Sequence, residues 1–452
     1  MGFFKAYDMR GVFGKDFTLD TVYRVGRWLP SLLRARRFLI GRDMRLTSPA
    51  IRNVLCDGLT DAGADVDDMG LSSTPMVYYF TETKHYDASV QITASHNPPD
   101  NNGMKVSMRH ALPMGADSGM KELESRVLGG LLLEPAPRKG VVRSVAYLPE
   151  FLDYLRGQGA AFGNLSFAVD CSDGVAGLFA HELFGANAVY LNDTPDGRFP
   201  HHSPNPLDPA SRVQLAETVR KRKLDCGVIF DGDADRVMFV DEHGDFIQPD
   251  YLIPVIARRF LAAEPGAAVI HDIRTSRGVI EALARDGAKP VIGRVGHAFA
   301  KVLLRKSKAV CGGELAGHYY FRDFCFCDSG ELAALTVLSA VAAAKKRRVP
   351  FSRLVKPIAK YATTGECNFT IESKDEALAA AVAAVKEAYG KPLSSITIDG
   401  VRLEYPHGWL NIRKSNTEPY LRLLVEADTA KRRDKLYQTI VNAFTPFLAK
   451  PC

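Results

Sequence analysis

The segment Thr93-Ala94-Ser95-His96-Asn97-Pro98-Pro99-Asp100-Asn101-Asn102-Gly103-Met104-Lys105 puts a hydroxyl, an imidazole and an amine on one short, turn-rich stretch. Those groups serve as nucleophile, proton carrier and positive charge in covalent and acid–base catalysis. The stretch follows Ala88-Ser89-Val90-Gln91-Ile92, an apolar run with β-branched residues and the length of a buried strand. Pro, Asn, Asp and Gly then interrupt it. The expectation is a functional loop at a strand's end, although composition alone also fits a polar surface turn.

A second loop, Asp231-Gly232-Asp233-Ala234-Asp235-Arg236, leaves the apolar run Cys226–Phe230. Carboxylates at alternate positions raise one another's pKa unless a cation compensates them. Gly232 lets the backbone fold tightly enough for the oxygens to converge. Hard oxygen donors without His or Cys suit Mg²⁺ rather than zinc and leave positions for a phosphate oxygen. A calcium-binding EF-hand needs glycine at its sixth position and an acidic residue at its twelfth; here these are Arg236 and Glu242, so the match fails at the turn. The alternative is a solvated acidic turn.

Two further loops lie downstream. Gly312-Gly313-Glu314-Leu315-Ala316-Gly317-His318 precedes the aromatic run Tyr319-Tyr320-Phe321, and its carboxylate and imidazole could hydrogen-bond paired sugar hydroxyls. Arg413-Lys414-Ser415-Asn416-Thr417-Glu418-Pro419 combines a guanidinium fork, two hydroxyls and an asparagine suited to turning backbone N–H groups toward an anion. It reads as a phosphate cradle not built on the Gly-rich P-loop plan.

The elements around these loops must position them. At 452 residues the chain is too long for one core and suggests roughly three domains of ~150 residues. Its 46% hydrophobic and 24% charged content is that of a soluble globular protein. The apolar stretches fall short of the ~18 residues a membrane span needs. Met1–Asp8 lacks the pattern of a secretory leader, so the expectation is a cytoplasmic protein without membrane partners. The eight cysteines are scattered, and the spacing of Cys325-Phe326-Cys327 is not that of a zinc site, so all are read as reduced thiols. Basic clusters at Arg34–Arg37, Arg220–Lys223 and Lys345–Arg348 lack interleaved aromatics and read as solvated helix ends rather than a nucleic-acid surface. The net charge of +6 suits small anionic substrates.

Strand-like and helix-like segments alternate, which indicates α/β layers. Arg37–Gly41 reads as a strand, and Ser48-Pro49 as the N-cap and first position of a helix reaching about Asp61. Leu165–Val169, Cys226–Phe230 and Ala268–Ile270 read as further strands, with Ser276 as a helix cap. The pattern gives three similar mixed-sheet α/β units without a residue-level repeat. A last α+β segment follows, with a helix from Lys374 to about Tyr389 and β-rich stretches at Ile396–Ile412 and Leu421–Val425. The boundaries are placed at 1–143, 144–247, 248–358 and 359–452, with one of the four loops in each.

With all four loops in register, the chain resembles the α-D-phosphohexomutase superfamily over its whole length, most closely the phosphomannomutase/phosphoglucomutase branch. The resemblance implies three similar α/β domains and a distinct fourth, carrying the phosphoserine, aspartate, sugar and phosphate loops in that order around a central cleft. Tyr7-Asp8-Met9-Arg10-Gly11 and Gly41-Arg42-Asp43-Met44-Arg45 are also similar to family segments. The resemblance implies that Ser95 carries a phosphoryl group and that Asp231, Asp233 and Asp235, with the Ser95 phosphate, hold Mg²⁺. It implies that His96, Lys105 and Arg236 assist transfer, and that Glu314 and His318 read sugar hydroxyls. Arg413, Ser415, Asn416 and Thr417 would grip the non-reacting phosphate, with Tyr7, Arg10, Arg274, His297, Ala316 and Arg422 as further substrate contacts. Hexose 1,6-bisphosphate would be intermediate and activator, phosphosugars the only partners, and the protein a monomer or dimer. Ala316 stands where many relatives have Ser, and Arg274 where they often have Lys; both bear on sugar preference, not reaction type. A phosphoglucosamine mutase is the nearest alternative, disfavoured by Asn416 where that branch usually has Gly. A phosphoserine-dependent sugar phosphatase and a silent sugar-phosphate binder are the others.

Overall fold

The computed structural model describes residues 2–131, 133–415 and 420–448. Four sheets follow one another along the chain. The first has the order Met9–Val12, Asn101–Met108, Ala88–Ile92, Arg37–Arg42, Asp65–Leu71 and Val142–Ser144, with Leu112–Pro113 beside Asn101–Met108. The second runs Phe246–Ile247, Val237–Val240, Cys226–Phe230, Phe167–Asp170 and Val189–Leu191. The third runs Lys289–Gly293, Ala268–Asp272, Cys311–Gly313, Tyr319–Phe321 and Cys327–Asp328. All three are mixed: strands from the parallel part turn into antiparallel partners at one side. The fourth, Ala362–Thr370, Tyr420–Ala427, Gly408–Lys414, Val401–Tyr405 and Ser394–Ile396, is antiparallel throughout.

One topological rule places the chemistry. In each sheet a strand and the antiparallel partner that follows it in sequence are joined by one of the four loops singled out above. Residues 93–100 join Ala88–Ile92 to Asn101–Met108, and 231–236 join Cys226–Phe230 to Val237–Val240. Residues 314–318 join Cys311–Gly313 to Tyr319–Phe321, and 415–419 join Gly408–Lys414 to Tyr420–Ala427. The threefold likeness expected from the pattern is therefore one of topology.

Helices form where expected, with one shift. The helix Ser48–Asp61 has Thr47 at its N-cap, so Ser48 is already helical. The Ser48 hydroxyl is directed elsewhere, donating to Asp43 Oδ1 at 2.7 Å. Ser276 does cap the helix Arg277–Arg285, accepting the Gly278 N–H at 3.1 Å, and the helix Lys374–Tyr389 is as read from the sequence. The three basic clusters lie at helix C-termini, where cations oppose the helix dipole favourably. The seven cysteines of the described residues are free, and no helix among those residues is long and apolar enough to cross a membrane.

The first three units share a core. Tyr79 and Phe80 of the first, Phe151 and Tyr154 of the second and Phe324 of the third form one aromatic cluster. The fourth unit has its own core, built from alternating residues Leu421, Leu423 and Val425 against Ala377, Ala381, Ile440 and Phe444, as period-2 strands on helices require. Its opposite sheet face meets the third unit through a small apolar cluster, Leu315, Trp409 and Leu424, and through buried polar bonds. Arg402, 1% exposed, donates to the carbonyls of Ile273 at 2.7 Å and Thr275 at 2.8 Å and stacks 3.6 Å above the Trp409 ring centroid. Arg402→Met would keep the packing of the stem but strand those carbonyls. Hydrogen exchange should then show amide protection in Val401–Tyr405 reduced by about tenfold or more, the equivalent of one lost buried hydrogen bond; unchanged protection would contradict this view of the docking.

Candidate active site

Ser95 has φ of 50°, in the left-handed region that a side-chain-bearing residue adopts at a cost of order 1 kcal/mol. The surroundings hold it there. Its N–H donates to Thr93 Oγ1 at 2.8 Å. Arg45, fully buried, spends its guanidinium on four loop carbonyls, those of Ser95 (2.9 Å), Asn97 (2.6 Å), Pro98 (2.5 Å) and Asn101 (2.9 Å). Asp43 receives the Arg45 Nε–H at 3.1 Å and compensates its charge. Arg10 reaches the same loop, donating to Asn97 Oδ1 at 3.0 Å and to Asp8 at 2.8 Å. Arg45 was not among the residues assigned a role from sequence. The available signal was an Asp and an Arg two apart, immediately after a strand.

The aspartate loop meets this one across the boundary between the first two sheets. Ser95 Oγ donates to Asp231 Oδ2 at 2.7 Å. The approach depends on glycine: a Cβ on residue 232 would lie 2.6 Å from the Ser95 carbonyl oxygen. Lys105 Nζ bonds Asp233 Oδ2 at 2.7 Å and Asp235 Oδ2 at 2.5 Å. Thr74, at the N-terminus of the helix Thr74–Thr83, donates its N–H to the Asp233 carbonyl at 3.0 Å and its hydroxyl to Asp233 Oδ2 at 2.5 Å.

All three aspartates are fully buried, and their candidate ligand atoms lie within 4.8 Å of one another. Burial and the charges of Asp235 and Asp233 push Asp231 well above the usual carboxylate range. Burial also pushes Asp235 up, but Lys105 and His318 outweigh it and hold it below its ordinary value. Asp233 Oδ1 and Asp235 Oδ1 are buried without a hydrogen-bond partner among the described residues. Three converging carboxylates with orphaned oxygens and one ammonium between them form a donor set that fits a hard divalent cation. Lys105, despite its burial, is held protonated by Asp233 and Asp235. Burial, reinforced by Arg236, Arg10 and Lys105, keeps the His96 imidazole neutral.

His318 closes the site from the third sheet. Its Nε2 accepts from Arg236 Nε at 2.9 Å, and its Nδ1 lies 2.8 Å from Asp328 Oδ2 and 3.7 Å from Asp235 Oδ1. Lys301, fully buried, compensates Asp328 at 2.8 Å and sits 3.4 Å from the Tyr78 ring centroid. His297 lies beside this group, edge-on to Tyr7 at 5.0 Å and 5.9 Å from the His318 ring. Glu314 is 2% exposed and accepts from the Gly296 N–H (2.6 Å) and the Tyr320 hydroxyl (2.7 Å). The methyl group of Ala316 offers no hydrogen bond.

The fourth unit presents a separate polar cluster. Arg413 and Arg422 both donate to Glu366, at 2.9 and 3.2 Å, and Arg422 Nη2 donates to Ser415 Oγ at 3.4 Å. Arg274 of the third unit lies 3.5 Å from the same Glu366 and pairs with Asp272 at 2.7 Å. Asn416 and Thr417 lie outside the described residues. Thus Ser95, Lys105, the aspartates, Arg236 and His318 form one bonded constellation, and Arg274, Arg413, Arg422 and Ser415 form another. Thr74, Asp328, Lys301 and Glu366, like Arg45, were not assigned roles from the sequence.

Models described as phosphoglucomutase/phosphomannomutase, alpha/beta/alpha domain I, domain II, domain III and C-terminal domain match residues 1–130, 147–244, 248–361 and 366–443. A phosphomannomutase of Escherichia coli is 37% identical over 443 residues, covering 94% of this chain and 96% of its own length. A phosphomannomutase/phosphoglucomutase of Pseudomonas aeruginosa is 34% identical over 441 residues, covering 96% and 93%. A crystal structure of a phosphoglucomutase/phosphomannomutase family protein from Burkholderia thailandensis superposes with a TM-score of 0.89 at 29% identity, covering 98% and 97%.

The Ser95 loop geometry makes Arg45 testable. Arg45→Lys keeps the charge but cannot reach four carbonyls at once. Turnover should fall by roughly 100-fold, as expected for a misplaced reacting group, while KM for a hexose phosphate changes little; full turnover would show that Arg45 does not set the loop.

Proposed function

The chain belongs to the phosphoglucomutase/phosphomannomutase family, and on that premise we propose how this phosphohexomutase interconverts hexose 1-phosphate and hexose 6-phosphate, with mannose or glucose as the sugar. The observation that carries the reading is the Ser95 Oγ–Asp231 Oδ2 bond of 2.7 Å, which joins a strained serine to the buried carboxylate set. In this reading Ser95 carries the phosphoryl group in the resting enzyme. Mg²⁺ held by Asp231, Asp233, Asp235 and an oxygen of that phosphate supplies the charge neutralisation that in-line phosphoryl transfer needs.

The hexose 1-phosphate is anchored through its own phosphate on Arg413, Ser415, Asn416, Thr417 and Arg422, which points its 6-hydroxyl at Ser95. Arg274 lies at the boundary of this cradle, and Glu314 and His318, flanked by Tyr7, His297 and Ala316, read the ring hydroxyls. Lys105 is held as an ammonium and acts as a donor to the transferring group, together with Arg10 and Arg236. The proton acceptor is then His96, the neutral imidazole next to Ser95. The bond from O6 to phosphorus forms as the Ser95 Oγ–phosphorus bond breaks. The 6-hydroxyl proton passes to His96, which delivers it to the departing serine oxygen and is neutral again for the second transfer. The hexose 1,6-bisphosphate turns in the cleft and returns its 1-phosphoryl group to Ser95, releasing the 6-phosphate. We read the protein as a cytoplasmic monomer or dimer acting on phosphosugars alone.

Ser95→Ala should abolish turnover in a coupled assay of mannose 1-phosphate and glucose 1-phosphate run side by side with a trace of hexose bisphosphate; near-normal rates would remove the phosphoserine from the account. Release of inorganic phosphate without any 6-phosphate would instead indicate a phosphatase. Asp233→Asn should raise the Mg²⁺ concentration for half-maximal activity by about tenfold or more, as expected when one ligand of a carboxylate set is lost; an unshifted titration would separate the aspartate loop from metal binding.

A further inference from the structure

The cluster at the face of the fourth unit contains an arrangement that strand pairing alone would not favour. Arg413 and Arg422 are direct cross-strand neighbours in the antiparallel pair Gly408–Lys414 and Tyr420–Ala427. Like charges directly opposite each other destabilise a sheet. The counter-charge comes from the next strand, where the pairing of Ala362–Thr370 with Tyr420–Ala427 slips between Thr363 and Glu366. That irregularity re-aims the chain locally. Glu366 Oε1 accepts from Arg413 Nε at 3.1 Å and Nη2 at 2.9 Å, and from Arg274 Nη1 at 3.5 Å, while Oε2 accepts from Arg422 Nη1 at 3.2 Å. One carboxylate therefore touches three guanidinia drawn from two units.

A guanidinium is a rigid planar fork, so fixing its Nε and Nη2 edge also fixes the direction of its remaining donors. Burial would push the Glu366 carboxyl up, but Arg274, Arg413 and Arg422 outweigh it and pull it down to about 2. It is therefore ionised at any working pH. Arg413 is 4% exposed, and a guanidinium that deep is costly unless a counter-charge holds it.

We propose that Glu366 is a positioning residue of the phosphate cradle: it holds Arg413 and Arg422 side by side and aimed before substrate arrives, so that the non-reacting phosphate meets a preformed site. This rests on the reading that the 413–417 loop grips that phosphate. Ordering the arginines in advance lowers the cost of binding, so the effect belongs in KM.

Steady-state kinetics with glucose 1-phosphate on Arg413→Ala, Glu366→Gln, the double variant and Glu366→Asp test the proposal. Arg413→Ala should raise KM by about tenfold or more with a much smaller change in kcat, the signature of a lost remote contact. Glu366→Gln should raise KM about five- to tenfold in the same way, and should add little in the Arg413→Ala background, because two residues acting through one contact are not additive. Glu366→Asp, which keeps the charge but withdraws it by one methylene, should fall between wild type and Glu366→Gln. An unchanged KM for Arg413→Ala would overturn the phosphate cradle itself. A raised KM for Arg413→Ala with an unchanged or lowered KM for Glu366→Gln would overturn the role of Glu366 alone, a lowered value marking the carboxylate as a competitor of phosphate. Independent multiplication of the two effects would also overturn it. Should Glu366→Gln fail to fold, Glu366→Asp decides: its KM must rise.

Discussion

The structure depends on the contact between two hairpin loops that belong to different sheets. Ser95 and Asp231 share a 2.7 Å hydrogen bond, and the backbone of Gly232 comes close enough to the Ser95 carbonyl that no side chain would fit. Everything near this contact serves to make it tolerable. The serine is held at a positive φ by Arg45 and Thr93. Three carboxylates that would repel one another in a buried site are offset by Lys105 from the first unit and bonded by Thr74 at the start of a helix. The shared apolar core of the first three units supplies the rigidity that keeps the loops at hydrogen-bonding distance.

A chain of buried polar contacts runs outward from the aspartates. Behind Asp235 stands His318; behind His318 stands Asp328; behind Asp328 stands Lys301, which ends against an aromatic ring. A buried Asp328 or Lys301 would be expensive alone, and each is retained because the other offsets it. The cluster of the fourth unit reverses the signs, since there Glu366 offsets Arg413, Arg422 and Arg274. The fourth unit keeps a separate core and meets the third largely through polar bonds. The arginine cluster thus sits on a unit that shares with the third the small apolar cluster Leu315, Trp409 and Leu424.

The Ser95 and aspartate loops were legible in the sequence because their composition contradicts burial: runs of Asp, Asn, Pro and Gly leave a β-branched strand. Lys105, read as part of the Ser95 loop, lies instead inside the strand Asn101–Met108, opposite Gln91. The strands and most helix limits followed from period and caps. The groups that hold the site were not legible. Arg45 works through backbone carbonyls, which leave no mark on sequence. Neither Glu366 nor Asp328 stands in a motif that the sequence singles out, and Glu366 is separated from Arg413 by 47 positions. Lys301 occupies a helix where lysine is expected to be solvated, yet it is fully buried. The threefold likeness was visible as alternation of elements, but its sharper form, one hairpin loop per sheet at the same topological place, needs the strand pairing itself.

The central claim is that Ser95, and no other residue, exchanges a phosphoryl group with the sugar. Incubating the purified protein with radiolabelled glucose 1,6-bisphosphate and Mg²⁺, chasing with excess unlabelled glucose 1-phosphate, and mapping the labelled peptide before and after the chase tests it directly. The account predicts phosphate on the peptide containing Ser95 that turns over within the time of catalysis. A peptide that stays unmodified, or a label that settles on another residue while turnover proceeds, would contradict it.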